Sequence, residues 1–167
     1  MGMAGADPSG EIRLETVAED ALGGARRAAL GDLLADAFID ADGAELAAYL
    51  RVHAHWGVEP LARVIALDGP RIVGQVSVHR MGLDVMGLGG GAVAASHRRR
   101  RIMAGLLARG LELCGDEVVL ARTVPLRALL CHEFGFRPVQ LPQLVPSPHW
   151  LGRGDLSRVG ELELNDV

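Results

Sequence analysis

"AVAASHRRRRIMAGLLARGLELC", Ala92 to Cys114, begins as a buried strand, passes one polar dipeptide and four consecutive arginines, and continues as an amphipathic helix. Met103, Leu106, Leu107, Gly110, Leu111 and Cys114 recur at helical spacing, which defines a buried stripe and leaves the arginines at the N-terminal end. The first turn of a helix carries unpaired backbone N–H groups and the positive end of the macrodipole. A strand that runs into such a turn makes an anion site suited to phosphate, and guanidinium forks strengthen it for a pyrophosphate.

Four adjacent cations also suggest a nucleic-acid patch. The chain has a net charge of -4 and its other arginines are scattered, which argues against a polyanion partner. All 17 basic residues are arginine, which reads as compositional bias rather than function. With 167 residues, 49% of them hydrophobic, the chain is expected to form one domain over residues 11–167 behind a small-residue tail, Met1 to Gly10, expected to be disordered. Cys114 and Cys131 lie in apolar helical context without metal-ligand spacing. No signal peptide and no run of 18 apolar residues is visible, so a soluble, cytoplasmic protein without a membrane partner is expected.

Outward from the opening stretch, "EIRLETV" (Glu11 to Val17) alternates as a strand and Glu19 to Phe38 has helical spacing. A short helix is expected over Gly43 to Val52. "ARVIALDGPRIVGQVSVHR" is two β-rich runs around a turn, a hairpin signal. "DVMGLGGGAVAA" is a further strand in which Gly89, Gly90 and Gly91 suggest a bulge or a close approach of ligand backbone. Asp116 to Arg122 reads as a strand, Val124 to Phe134 as a helix, and Gly135 to Leu141 as a strand. A Pro-rich loop from Leu141 precedes a last strand, Val159 to Leu164. The order predicts an α/β (α+β) chain with a mixed sheet and helices on both faces.

The order of elements, the hairpin before a Gly-rich strand, the arginine at the strand-to-helix turn and the helix ending in "EFGF" resemble the GNAT superfamily of acyl-CoA N-acyltransferases, roughly from Glu11 to Leu164. The resemblance implies a mostly antiparallel sheet of six to seven strands. The family motif Arg/Gln-x-x-Gly-x-Gly/Ala, which wraps the cofactor pyrophosphate, falls on Arg98, Arg99, Arg100, Arg101, Ile102 and Met103. Arg98 matches, whereas Arg101 and Met103 stand where the family has small residues, so their side chains must point elsewhere or obstruct. By the same resemblance the main chain of Gly91, Ala92 and Val93 pairs with the pantetheine arm and thioester oxygen, Val93 being the oxyanion donor.

The pieces "RIVGQVSVHRMGLDV" and "AVAASHRRRRIMAGLL" are similar to aminoglycoside 2'-N-acetyltransferases, and "RTVPLRALLCHEFG" to nodulation-factor acyltransferases. A glutamate that the aminoglycoside enzymes carry falls on Gly89. The family's acidic tyrosine falls on Cys131, whose thiol could protonate a leaving thiolate, although a packed small hydrophobe is the commoner role. His132 adjoins it and is the other catalytic candidate. Less specific candidates are His79 at the end of the hairpin strand, His53 and His55 flanking Trp56 for the amine pocket, and His149 with Trp150 in a loop able to close over a substrate, and Glu133 reads as solvated. No carboxylate pair, metal cluster, Ser-His-Asp order or Walker loop is present.

The expected function is transfer of an acyl group, expected to be acetyl from acetyl-CoA, to the amine of a small molecule. Two alternatives stand beside it: a degenerate member kept as a binding or sensor module, and a protein or peptide N-acetyltransferase. A homodimer is left open.

Overall fold

The computed structural model describes residues 10–37 and 59–162. The expected helix over Gly43 to Val52, the candidates His53, His55 and Trp56, and the tail before Gly10 lie outside the described residues.

Strands β1 (Arg13–Ala18), β2 (Ala62–Asp68), β3 (Arg71–Gly82), β4 (Val85–Val93), β5 (Val118–Arg122), β6 (Arg137–Pro138) and β7 (Trp150–Arg153) form one sheet of order β1-β2-β3-β4-β5-β7-β6. Only the β4–β5 contact is parallel. The helices among the described residues are α1 (Gly24–Ala37), α2 (Ile102–Cys114) and α3 (Arg127–Glu133). The parallel contact requires a crossover, and α2 supplies it.

Side-chain alternation assigns the two faces. Gly74, Val76, Val78 and Leu88 meet α2, where Leu106 and Gly110 sit against them. Arg63, Gln75, Ser77 and His79 point the other way, as does Glu15, which Arg26 of α1 engages at 2.7 Å. Helices therefore cover both faces. The buried stripe of α2 is Ile102, Leu106, Leu107, Gly110, Leu111 and Cys114. Met103, expected in that stripe, is only half-buried at its edge, because Ile102 stands one turn before Leu106 and takes the inward position. Burial pushes the Cys114 thiol up to about 12, so it is an inert packed group.

The hairpin, the Gly-rich strand and the β5 strand form as the sequence predicts. Other boundaries differ. The predicted helix from Glu19 opens as a single 3-10 turn, Glu19–Ala21, and α-helix starts only at Gly24. The predicted strand from Gly135 to Leu141 contracts to Arg137–Pro138, since proline has no N–H for a ladder. Val159 to Leu162 form no strand. The edge of β5 is taken instead by Trp150–Arg153, inside the stretch predicted to be loop, and Gln143 bonds the carbonyls of Val159 and Gly160 at 3.4 and 3.2 Å.

Candidate active site

Strands β4 and β5 pair from Val85↔Val118 to Leu88↔Ala121 and then part. The parting has a local cause. Between Gln75 and Ser77 of β3 the register with β4 slips by one residue, so Gly89 to Ala92 hold one residue more than their partner. Gly90 takes a φ of +62°, the left-handed conformation that opens a bulge and that glycine adopts without steric cost. A bulge strands backbone groups, and buried carbonyls need donors. Ser77 Oγ donates to the Gly89 carbonyl at 2.9 Å and Gln75 Nε2 donates to the Gly90 carbonyl. With its one proton committed to Gly89, the Ser77 hydroxyl accepts from His79 Nε2, 2.8 Å away.

Gln75 is itself held. Its Oε1 accepts from Arg63 Nη1 at 3.1 Å, and Arg63 donates to both Glu19 oxygens at 2.7 and 3.2 Å. Arg27 of α1 closes the chain on Glu19 at 3.0 Å. Burial alone would raise the Glu19 carboxyl, but the hydrogen bonds and charge of Arg63 and Arg27 hold it below its ordinary range. The bulge is thus tied through a buried polar chain to helix α1.

Beyond the bulge the strand edge opens into a cleft of about 990 Å³. The Ala94 N–H donates to Val73 of the β3 side at 2.8 Å, so by alternation the Val93 main chain faces the opposite, open edge. Gly91 lies on the cleft floor, where an added Cβ would come within 2.9 Å of Leu126 and 3.4 Å of Met103.

The arginine run forms the rim. Arg99 and Arg101 adopt φ of +65° and +59°, unusual for residues with a side chain. Arg101 is the N-cap of α2 and bonds it with no side-chain cap; its carbonyl receives the Gly105 N–H at 3.2 Å. No side-chain or backbone acceptor among the described residues meets the N–H groups of Ile102, Met103 and Ala104, which are available to an anion. The Arg101 side chain turns away to Glu133, with Nη1 2.8 Å from Oε1, and this contact lowers the Glu133 carboxyl. Arg98 Nε donates to the Val93 carbonyl at 3.3 Å, and no acceptor among the described residues engages its terminal nitrogens.

Of the predicted cofactor residues, Gly91, Ala92, Val93, Arg98, Arg99, Arg101, Ile102 and Met103 line the cleft. Arg100 does not; between two left-handed residues it is exposed outside the lining. Cys131 and His132 do not line it either. Helix α3 presents Leu126, Leu129 and Leu130 to the cleft, while Cys131 is half-buried against the core and His132 is exposed. Glu133, expected to be solvated, is exposed but carries the Arg101 pair. His79, read as an end-of-strand histidine, is fully buried within β3.

Sequence reasoning missed three features. Arg122 and Thr123 line the cleft at the end of β5, beside His149, which the sequence offers with Trp150 as a loop pair able to close over a substrate. His97 is buried, with Nε2 donating to Asp68 at 2.8 Å and Nδ1 2.8 Å from Ser96, which fastens the start of the arginine run to the β2–β3 turn. The Glu19–Arg63–Gln75 chain is the third. A signal existed in the polar residues Gln75, Ser77 and His79 at period two inside an apolar strand, but their partners are far away in sequence.

The cleft suits a long ligand with an anionic end: a slot open along a strand edge and, among the described residues, free helix N–H groups and uncommitted guanidinium nitrogens at one mouth. Comparison with known proteins agrees. The Acetyltransferase (GNAT) family model matches residues 27–136. Among curated protein sequences none matches this chain. Among solved structures the fold is similar to Escherichia coli ElaA (17% identity, TM-score 0.68, 86% of this chain and 99% of that one). It is similar also to a GNAT family acetyltransferase from Staphylococcus aureus (15%, 0.66, 84% and 98%). A third is a GNAT family acetyltransferase from Brucella melitensis in complex with acetyl-CoA (13%, 0.63, 93% and 96%). The family's common chemistry is acyl transfer from coenzyme A, and with its sheet, bulge and arginine-rimmed cleft this chain belongs to the GNAT acetyltransferase family.

Proposed function

We propose that the protein is an acetyl-CoA-dependent N-acetyltransferase that acts on the amine of a small molecule by direct transfer. The observation that carries the reading is the parting of β4 from β5 at the Gly90 bulge, next to the uncapped N-terminus of α2. Bound acetyl-CoA supplies an activated thioester. The chain supplies the rest. The free N–H groups at Ile102 to Ala104, with Arg98 and Arg99, hold the pyrophosphate. The open-edge main chain of Gly91 and Val93 positions the pantetheine arm, and the Val93 N–H is the donor toward the thioester oxygen. The amine nitrogen bonds the acyl carbon as the carbon–sulfur bond breaks; the amine gives up a proton and the thiolate takes one. With Cys131 and His132 outside the cleft lining, those protons pass by water or by the acceptor itself.

Calorimetric titration with acetyl-CoA, followed by thiol release against an amine panel, tests the reading. Arg98→Ala should weaken acetyl-CoA binding roughly tenfold, the order of one charge-assisted hydrogen bond, while Arg100→Ala leaves it within about twofold. No binding at millimolar acetyl-CoA would sink the proposal, and equal losses at both positions would mean that charge alone holds the ligand. The half-buried Met103 beside Gly91 favours one second reading, a sensor that binds the cofactor without transfer. Binding without turnover on any amine would select it.

A further inference from the structure

We infer that the acceptor is an amine that also carries a carboxylate, and that Arg122 is the residue that binds it. The inference rests on the acyltransferase reading and adds the class of acceptor to it.

The cleft passes between the diverging ends of β4 and β5, so it has a mouth on each face of the sheet. One mouth belongs to α2, whose residues pack on Val76, Val78 and Leu88 and whose N-terminus carries the arginine run. The other lies on the face of α1. Arg122 points there: along β5, Val119 and Ala121 join the core that contains Leu106 and Leu107 of α2, while Val118 and Leu120 join the separate cluster around Trp150. Arg122 alternates with Ala121 and sits opposite Trp150 in the ladder. A ligand whose pyrophosphate lies at the α2 mouth leaves the Arg122 mouth for the acceptor.

The Arg122 guanidinium is oriented but unsatisfied. It stacks on the Trp150 ring with its carbon 5.8 Å from the ring centroid. Trp150 is a firm platform, only 5% exposed, with Nε1 donating to the Val145 carbonyl at 2.8 Å. Arg26, Arg63, Arg80, Arg101 and Arg158 each meet a carboxylate, whereas no ion pair or side-chain hydrogen bond among the described residues engages Arg122. A planar fork of donors held over an aromatic face fits a carboxylate in two-point contact.

The charge of the lining points the same way. The chain has more acidic than basic residues, 21 against 17, yet the described lining holds four arginines and no Asp or Glu. A polycationic acceptor of the aminoglycoside kind would face repulsion with no carboxylate among the described lining residues to receive it, and Gly89 supplies none. An amine balanced by its own carboxylate enters without that cost.

The test uses α- and ω-amino acids, each paired with its methyl ester and its decarboxylated amine. Binding to the CoA-loaded protein is read by calorimetry, and thiol release from acetyl-CoA is read separately. At least one free amino acid should bind ten- to a hundredfold more tightly than its two counterparts that lack the carboxylate, about the strength of a bidentate ion pair. Arg122→Met should erase that preference while the acetyl-CoA affinity and the melting temperature hold, and Arg122→Lys should restore part of it. Equal binding of acid, ester and amine, an unchanged preference in Arg122→Met, or intact acetyl-CoA binding with no amino acid bound would each overturn the inference. Loss of acetyl-CoA binding in the wild type would instead remove the acyltransferase reading beneath it.

Discussion

Replacing Gln75 with leucine tests whether a side chain on β3 holds the β4 bulge open. Gln75 is fully buried, and it is the partner of two buried groups: the Gly90 carbonyl, to which it donates, and Arg63 Nη1, from which it accepts at 3.1 Å. Leucine has nearly the same volume, so the change makes little cavity and the cost comes from the orphaned partners. An unsatisfied buried carbonyl and an unsatisfied cationic donor cost about 1–3 kcal/mol each, and the greater apolar burial of leucine returns about 1–2 kcal/mol. The midpoints of these ranges leave an expected net loss of about 2.5 kcal/mol, or roughly 5–10 °C in melting temperature for a chain of this size. Urea unfolding followed by tryptophan fluorescence measures it, with the slope m as a check that the native state is unchanged. Gln75→Glu separates the two partners, because a carboxylate still accepts from Arg63 but offers no proton to Gly90. A loss of similar size in Gln75→Glu assigns the cost to the bulge. A loss below about 0.5 kcal/mol in Gln75→Leu at unchanged m would refute the reasoning, since a buried carbonyl deprived of its donor cannot be that cheap.

Two further outcomes are expected. Arg101→Gly removes a side chain from a left-handed residue, with φ of +59°, and loses only an exposed ion pair to Glu133, so it should melt higher than Arg101→Ala, which loses the same pair and keeps the strain; the reverse order in a thermal melt would show that the backbone is at ease with arginine there. Glu19, held below its ordinary value of 4.5 by Arg63 and Arg27 despite its burial, contributes stability that is complete above that value and is lost as the pH falls through its lower folded-state value. The stability gap between wild type and Glu19→Gln should therefore narrow on acidification below about pH 4.5, and a gap independent of pH would show that the carboxylate is not held ionised.

Much of the frame was legible in local pattern. The stripe of α2, the β2–β3 hairpin and the Gly-rich strand are written in spacings of two and of three to four residues, and burial of one face enforces them whatever the rest of the chain does. The motif at Arg98 located the arginine-rimmed end of the cleft, because a strand-to-helix turn with cations is a local object. Boundaries that depend on a distant partner were not legible. Trp150–Arg153 becomes a strand because β5 has an open edge, which no window around Trp150 reveals, and Val159 to Leu162 lose their alternation's promise because that edge is already taken.

At the site the division is the same. Sequence by itself determined which residues are placed at the helix N-terminus and that glycines occupy the bulge. Only the tertiary structure decided where each side chain spends its hydrogen bonds: Arg101 on Glu133, Arg63 on Glu19, Gln75 on Gly90, and Arg122 on no carboxylate among the described residues. It also decided that Cys131 and His132 fall outside the cleft, since one helix presents only its Leu126, Leu129 and Leu130 side to the opening. The physical reason is range. Backbone propensity and periodic burial act within a few residues and can be read from neighbours, whereas the partner of a buried polar group is chosen by packing across the sheet, 12 residues away for Arg63 with Gln75 and 44 for Arg63 with Glu19.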